Sequence, residues 1–183
     1  TKVTAWKSIY RPIIEYGAEV WWPGAAVLDK LEILQKRVCK WSLGCGSTTV
    51  DEVVLGEVDV PPVESRLVRA RLGWAGVVRC AVEGSIVSRC SRMVVRGKGN
   101  EFTWRKVMER SLREVELVDE LVQLRPVSVE EERRAAVDEW KGRVKGSVRE
   151  RSECEWKMRL CTKVKALVYL DLKQKPGWEE YLG

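Results

Sequence analysis

Tyr10-Arg11-Pro12-Ile13-Ile14-Glu15-Tyr16-Gly17-Ala18-Glu19-Val20-Trp21-Trp22 joins helical apolar spacing to a specific set of aromatic, Gly and Pro positions. Trp6, Ile9, Ile13, Tyr16 and Val20 recur at intervals of 3, 4, 3 and 4, which is one stripe of a helix. Pro12 has no backbone N–H and its ring crowds the preceding turn. A helix through it must kink there, or start there with Pro in its first turn. Gly17 gives up helix propensity, about 1 kcal/mol against Ala, so close approach of another backbone is the expected compensation. Pro23-Gly24 ends the element. The spacing then predicts a second helix from Ala25 to Leu43, with Val27, Leu28, Leu31, Leu34, Val38 and Trp41 inward. Lys30, Lys36, Arg37 and Lys40 lie off that stripe, and Gly44 stands where a left-handed C-cap belongs. The pair reads as an antiparallel helical hairpin with an aromatic seam and a basic outer edge.

The 183-residue chain suits one ordinary domain or two small ones, and 45% apolar content with nine Trp supports a buried core. Up to residue 100 there are 15 basic and 10 acidic residues, net +5; the rest holds 18 and 17, net +1. The excess of positive charge near the N-terminus favours a polyanionic partner, although a pI near 9 also suits ordinary soluble proteins. Cys39, Cys45, Cys80, Cys90, Cys154 and Cys161 form no C-x-x-C pair, and the chain has no His. This argues against a zinc site and for reduced thiols in an intracellular protein of cytoplasm or nucleus. No apolar run approaches the ~20 residues of a membrane span, so no membrane partner is expected. The chain begins without Met in helical composition, and reads as a piece of something longer.

Further along, Ser47-Thr48-Thr49 offer capping hydroxyls to a short helix ending near Leu55, and Val58 to Pro62 reads as an extended connector. Pro62 opens a helix to about Ala81, with Val63, Leu67, Ala70, Trp74, Val77 and Val78 inward and Gly73 and Gly76 set for tight helix packing. A further helix is expected over 86–95. Arg96-Gly97-Lys98-Gly99-Asn100 is the expected linker; its Gly spacing fits neither a P-loop nor a dinucleotide fingerprint. Thr103 can cap a helix bearing Val107, Met108 and Leu112, and Val115 to Leu124 follows. Ser128-Val129-Glu130-Glu131 is a capping-box arrangement opening a long helix to about Leu160. Val137, Trp140, Val144 and Val148, extended by Arg151 and Glu155, set its inner stripe, with a break expected near Gly142 and Gly146. A basic amphipathic segment, Lys163 to Lys175 with Leu167, Val168 and Leu170 inside, leads to a tail from Trp178 to Leu182. The fold class is all-α, an irregular bundle with a hairpin region at 1–95, a linker at 96–100 and a second helical region at 101–183.

Arg11-Pro12-x-x-Glu15-Tyr16-Gly17-x-Glu19-Val20-Trp21, Leu31-x-x-Leu34-Gln35-Lys36-Arg37 and Trp41-x-x-Gly44-Cys45 together resemble the segment after the palm in non-LTR (LINE-type) retrotransposon reverse transcriptases. The likeness continues through Gly56-Glu57, Pro61-Pro62-x-Glu64-x-Arg66, Leu72-Gly73-Trp74-x-Gly76, Trp140-Lys141, Lys163-x-Lys165-x-x-x-x-Tyr169-x-x-x-Lys173 and Glu180-Tyr181-Leu182. Residues 85–130 match little. The resemblance implies a helical thumb, with Pro12, Tyr16, Gly17, Trp21, Trp41, Gly44, Glu57 and Trp74 as motif positions. It implies that the partners are an RNA–DNA hybrid or RNA template and the remainder of the reverse transcriptase chain.

Polymerase chemistry needs paired aspartates holding two divalent metals. Tyr169-Leu170-Asp171-Leu172 has Leu172 where the second carboxylate is required, and it lies in helical patterning, so it is no metal site. Without His, a Ser-His or Cys-His nucleophile is excluded. The segment is therefore expected to be non-catalytic and without cofactor, the divalent metals belonging to a palm outside it. A thumb grips its duplex through phosphates, without reading sequence. The candidate contacts are Arg11, Lys36, Arg37, Lys40, Arg66, Arg69 and Arg71, each weighed against a solvated surface charge. Tyr16, Trp21, Trp41 and Trp74 are candidates for stacking on bases, with core packing the expected role. The competing reading is a domesticated or stand-alone helical protein–protein interaction module without nucleic-acid function.

Overall fold

Apolar repeats at three- and four-residue spacing, interrupted by Gly and Pro, make a chain of helices. The computed structural model describes residues 2–89 and 104–172, and every regular element among them is helical. α1 (Lys2–Ala5) passes through a π-helical turn (Trp6–Tyr10) into α2 (Arg11–Ile14). Then come α3 (Ala25–Leu43), α4 (Asp51–Val58), α5 (Val63–Arg79), α6 (Trp104–Glu114) and α7 (Val118–Gln123). α8 (Glu130–Cys161), a 3-10 turn (Val164–Ala166) and α9 (Leu167–Leu172) complete the described chain. Residues 86–89 are helical. The rest of the helix expected over 86–95, the linker 96–100, Thr103 and the tail from Lys173 lie outside the described residues.

The helix crosses Pro12 by widening ahead of it. Arg11 N–H bonds the carbonyl of Trp6, five residues back, so the turn before Pro12 is π rather than kinked. One extra residue in a turn rotates everything after it by about 100°. Trp6 is accordingly buried while Ile9 and Ile13 are exposed, the latter at 71%. The helix stops at Ile14, well before Pro23-Gly24, so Tyr16 and Val20 never join the stripe and are exposed as well. Gly17 takes φ +72° in the turn that follows, and a Cβ there would only touch Trp21 at 3.5 Å. Left-handed backbone, not close approach, is what calls for glycine here.

The chain forms two compact units that are discontinuous in sequence, unlike the linear division at 96–100. The first comprises the described parts of Thr1–Tyr16, Pro23–Arg66 and Arg149–Gly183; the second comprises Gly17–Trp22 and Leu67–Val148. In the first unit α3 has the expected bounds, with Gly44 as its left-handed C-cap at φ 69° and Cys45 N–H bonding the Lys40 carbonyl at 2.9 Å. Its buried line is rotated from the expected one. Gln35 and Cys39 are fully inside, while Val27, Leu34 and Trp41 are exposed. Cys39 joins Val54, Val58 and Val60 in one cluster, and burial pushes its thiol up to about 11. α4 runs past Leu55 to Val58, and its N-cap, Val50, makes no side-chain capping bond, so the Ser/Thr run before it is not used as expected. A second cluster holds Trp156, Leu160 and Ala166, while Leu167 and Val168, expected inside, are exposed.

The second unit packs α5, α6 and α8 through Val68, Leu72, Leu112, Val115, Leu117, Trp140, Val144 and Val148. α5 is rotated like α3: Leu67, Val68, Arg71, Leu72 and Ala75 are buried, and Trp74, Val77 and Val78 only half-buried. α8 is unbroken through Gly142 and Gly146, both in open space. Its buried residues are Val137, Trp140, Val144, Val148, Ser152, Trp156 and Leu160. Arg151 and Glu155 pair with each other at 2.9 Å outside that line.

The two tryptophans of α8 are seated alike, one in each unit. Trp140 lies on Gly76 and donates its indole N–H to the Leu72 carbonyl at 2.7 Å; Trp156 lies on Gly56 and donates to the Glu52 carbonyl at 2.8 Å. The tight packing expected at Gly76 is therefore found, against Trp140. A Cβ on Gly76 would overlap Trp140 Cδ1, and one on Gly56 would stand 2.7 Å from Trp156 Cζ2. Gly56→Ala and Gly76→Ala should each destabilise by about 1–3 kcal/mol or more. Gly142→Ala and Gly146→Ala should each stabilise by about 0.5–1 kcal/mol. Urea unfolding followed by circular dichroism separates the two signs.

Candidate nucleic-acid interface

A Lys or Arg grips phosphate only if it reaches solvent and is not already committed to a carboxylate. Five of the seven expected contacts fail that condition. Arg66 binds Glu15 through Nε at 2.6 Å and Nη2 at 2.5 Å, and also donates to the Pro61 carbonyl. Burial draws its pKa down, against the opposing pull of Glu15. Arg11 stands 4.0 Å from the same carboxylate and is half-exposed. Lys40 meets Asp51 at 2.7 Å and the Ser47 carbonyl at 2.8 Å, and Lys36 meets Asp51 at 3.4 Å.

Arg71 is the most enclosed, at 1% exposure. Its Nη2 donates to the Trp21 carbonyl at 2.7 Å, its guanidinium lies 4.3 Å over the Trp22 ring, and burial draws it down to about 10. It remains cationic at neutral pH, and its Nε and Nη1 have no hydrogen-bond partner among the described residues. Lys36, Lys40, Arg66 and Arg71 thus serve the fold. Arg37 and Arg69 are exposed and carry no recorded ion pair among the described residues.

Arg69 belongs to a cationic seam in the second unit. Val127 N–H bonds the Cys80 carbonyl at 3.2 Å, so α8 starts beside the end of α5 and runs back along it. Further along, Trp140 sits on Gly76, and Lys141 Cγ lies 3.7 Å from where a Gly73 Cβ would be. Arg69 is one turn from Gly73 on α5, and Lys145 one turn from Lys141 on α8. All three cations are exposed, with no ion-pair partner among the described residues, and the Lys141 stem lies against α5 at Gly73. One carboxylate, Asp138, stands a turn before Lys141 on α8. Neighbouring charges are spent locally: Arg143 pairs with Glu139 at 2.7 Å and Glu120 at 3.1 Å, and both raise its pKa.

Lys141 and Lys145 are not among the cations expected from sequence, because dense charge on a long helix reads as mutual pairing. The signal was nonetheless present. Arg143 has Glu139 four residues back, whereas neither lysine has an acid four residues away on either side.

The motif positions divide by environment. Pro12, Tyr16 and Trp41 are exposed, Trp41 at 61% with the Lys2 ammonium 4.3 Å from its ring centroid. Core packing, the expected role for Tyr16 and Trp41, is therefore not theirs. Trp21 and Trp74 are half-buried, and Glu57 accepts the Tyr169 hydroxyl at 2.6 Å. Tyr169-Leu170-Asp171-Leu172 is helical, part of α9. Among the described residues no three Cys, Asp or Glu side chains group as metal ligands would, and no helix is long and apolar enough to cross a membrane. No protein-family description, curated protein or solved structure matches the chain.

Asp51 provides a pH test of the rearranged charges. Burial raises its pKa, but the Lys40 hydrogen bond and the charges of Lys36 and Lys40 outweigh this, and the net shift is downward. A depressed carboxylate stabilises above its unfolded pKa, about 4, and loses that contribution as pH falls through the lower folded value. Asp51→Asn should therefore be less stable than the parent at pH 6, and the gap should close as pH falls below about 4. Thermal melts across that range check it.

Proposed function

We propose that the chain is a non-catalytic, thumb-like helical segment of a non-LTR-type reverse transcriptase, holding an RNA–DNA template–primer through its phosphates beside a palm it does not contain. The whole enzyme would be an RNA-directed DNA polymerase working inside the cell, and the aspartates and divalent metals of that chemistry would lie in the palm. The observation that carries this reading is the seam of Arg69, Lys141 and Lys145 along α5 and α8, exposed and uncommitted to carboxylates among the described residues. Its support from sequence is the resemblance, which includes Leu72-Gly73-Trp74-x-Gly76 and Trp140-Lys141, the residues where these two helices touch.

The arrangement suits backbone contact rather than base reading. Lys and Arg displace condensed counterions from a polyanion, which gives affinity that depends on salt and not on sequence. Asp138 at one end would set the limit of the phosphate track by repulsion.

The expected result is binding to an RNA–DNA hybrid, with log affinity falling linearly in log salt. Arg69→Glu, Lys141→Glu and Lys145→Glu should each weaken it several-fold and flatten the slope by about one, equally for hybrids of unrelated sequence. Fluorescence anisotropy between about 50 and 200 mM salt measures both quantities. Absence of binding at the low end, or reversals that change nothing, would leave a protein-interaction module as the better reading.

A further inference from the structure

α3 carries a second surface, on its side opposite Gln35 and Cys39. Val27, Lys30, Leu34, Arg37 and Trp41 follow one another at intervals of 3, 4, 3 and 4, and all five are exposed. That is the spacing of a coiled-coil seam, with Val27, Leu34 and Trp41 at one core position of the heptad and Lys30 and Arg37 at the other. The stripe is about 21 Å long at 1.5 Å per residue. Ile33 is exposed at its flank. The acids of α3 lie off it: Asp29 is outside the spacing, and Glu32 is turned to the start of α5, where it accepts Val63 N–H at 2.6 Å. Neither Lys30 nor Arg37 has an ion-pair partner among the described residues, and the Lys2 ammonium over Trp41 adds a third positive charge.

We infer that this stripe docks an acidic amphipathic helix from a protein partner. Apolar side chains of that helix would meet Val27, Leu34 and Trp41, and its carboxylates would meet Lys30 and Arg37. Charge complementarity selects this occupant. A second copy in parallel would stack Lys30 on Lys30 and Arg37 on Arg37. An antiparallel copy would set each cation against an apolar side chain, with no carboxylate to compensate its lost hydration. A nucleic acid would answer the two cations but would leave Val27, Ile33 and Leu34 against sugar and phosphate, which they cannot hydrogen-bond. An acidic helix answers both sets at once, and polar residues at core positions together with complementary charge across the seam are how such helices choose a partner.

The stripe shares no residue with the Arg69–Lys141–Lys145 seam, and binding to it is first read in the absence of hybrid. The probe is a synthetic helical peptide of three heptads with Leu at one core position and Glu at the other, compared by anisotropy with the same peptide carrying Lys for Glu. The full chain should bind the Glu peptide at least tenfold more tightly than the Lys peptide. The Lys30→Glu/Arg37→Glu double variant should reverse that preference, and Leu34→Lys should abolish binding of the Glu peptide, with circular dichroism unchanged in both. Any one of four peptide-binding results overturns the inference. These are equal binding of the two peptides, binding of neither, an unreversed preference in the double variant, or displacement of the Glu peptide by RNA–DNA hybrid. A concentration-dependent dimer that disappears in Leu34→Lys would assign the stripe to a second copy and overturn it equally.

Discussion

The described structure depends on one contact made twice: a tryptophan of α8 laid on a glycine of a shorter helix. The indole N–H reaches the carbonyl one turn before that glycine, Leu72 before Gly76 and Glu52 before Gly56. A helical carbonyl has a second lone pair to offer, so the bond need not displace the helix's own. The missing Cβ is what lets a large ring reach it. Each contact buries a broad apolar face and satisfies its single donor in the same step, which a buried Trp requires. Trp140 thereby fixes α8 against α5 in the second unit. Trp156 fixes the other end of α8 against α4 in the first, where Lys163 then meets Glu52 at 2.5 Å.

Charge follows from that packing. Once α5 is clasped at Gly76 and Leu72, Arg71 must point inward with Leu72 and Ala75. It keeps its charge there by lying on Trp22 and bonding the Trp21 carbonyl. Arg66, at the other end of α5, is drawn to Glu15, so the opening block and the Pro61-Pro62 block are joined by a largely buried ion pair. Such pairs are seldom strongly stabilising, but removing one partner strands the other charge. Cations that looked available for phosphate were therefore consumed in fixing the backbone. The ones left over, such as Arg69, Lys141 and Lys145, have no acid four residues away and no distant carboxylate or carbonyl that claims them among the described residues.

Helix existence, both ends of α3 and the start of α8 were legible because their signals are local. Pro23-Gly24 before Ala25, Gly44 after Leu43 and the acids at Glu130 to Glu132 act within a turn of where they stand. Which face of a helix is buried was not legible, since α3 and α5 carry apolar residues over more than half their circumference. In α3 the buried face is instead chosen by partners distant in sequence, Gln35 by the Pro61 carbonyl and Cys39 by the Val54 cluster. The π turn before Pro12 was equally hidden, because Pro specifies a disruption and not how it is absorbed. Of the exposed cations on the proposed seam, Arg69 was singled out from sequence and Lys141 was noticed only as part of a motif. Whether a cation is free depends on both helices that it touches.

The two glycines of α8 show how much the tryptophan contacts bear. Gly142 and Gly146 have nothing within 4 Å of their Cβ positions, so no neighbour or turn requires them. Each lowers helix propensity by about 1 kcal/mol relative to Ala, and helices commonly break at such pairs. This one does not. Val144 and Val148 lie between and after them in the buried line, and side-chain pairs such as Arg143–Glu139 and Arg149–Glu153 span the same stretch at 2.7 Å. Exposed pairs of that kind contribute only about 0.3–0.5 kcal/mol each, too little to offset two glycines. The continuity of α8 therefore comes from burial at Trp140, Val144 and Val148. Its bare outer surface at Gly142 and Gly146 is tolerated because the inner surface is anchored.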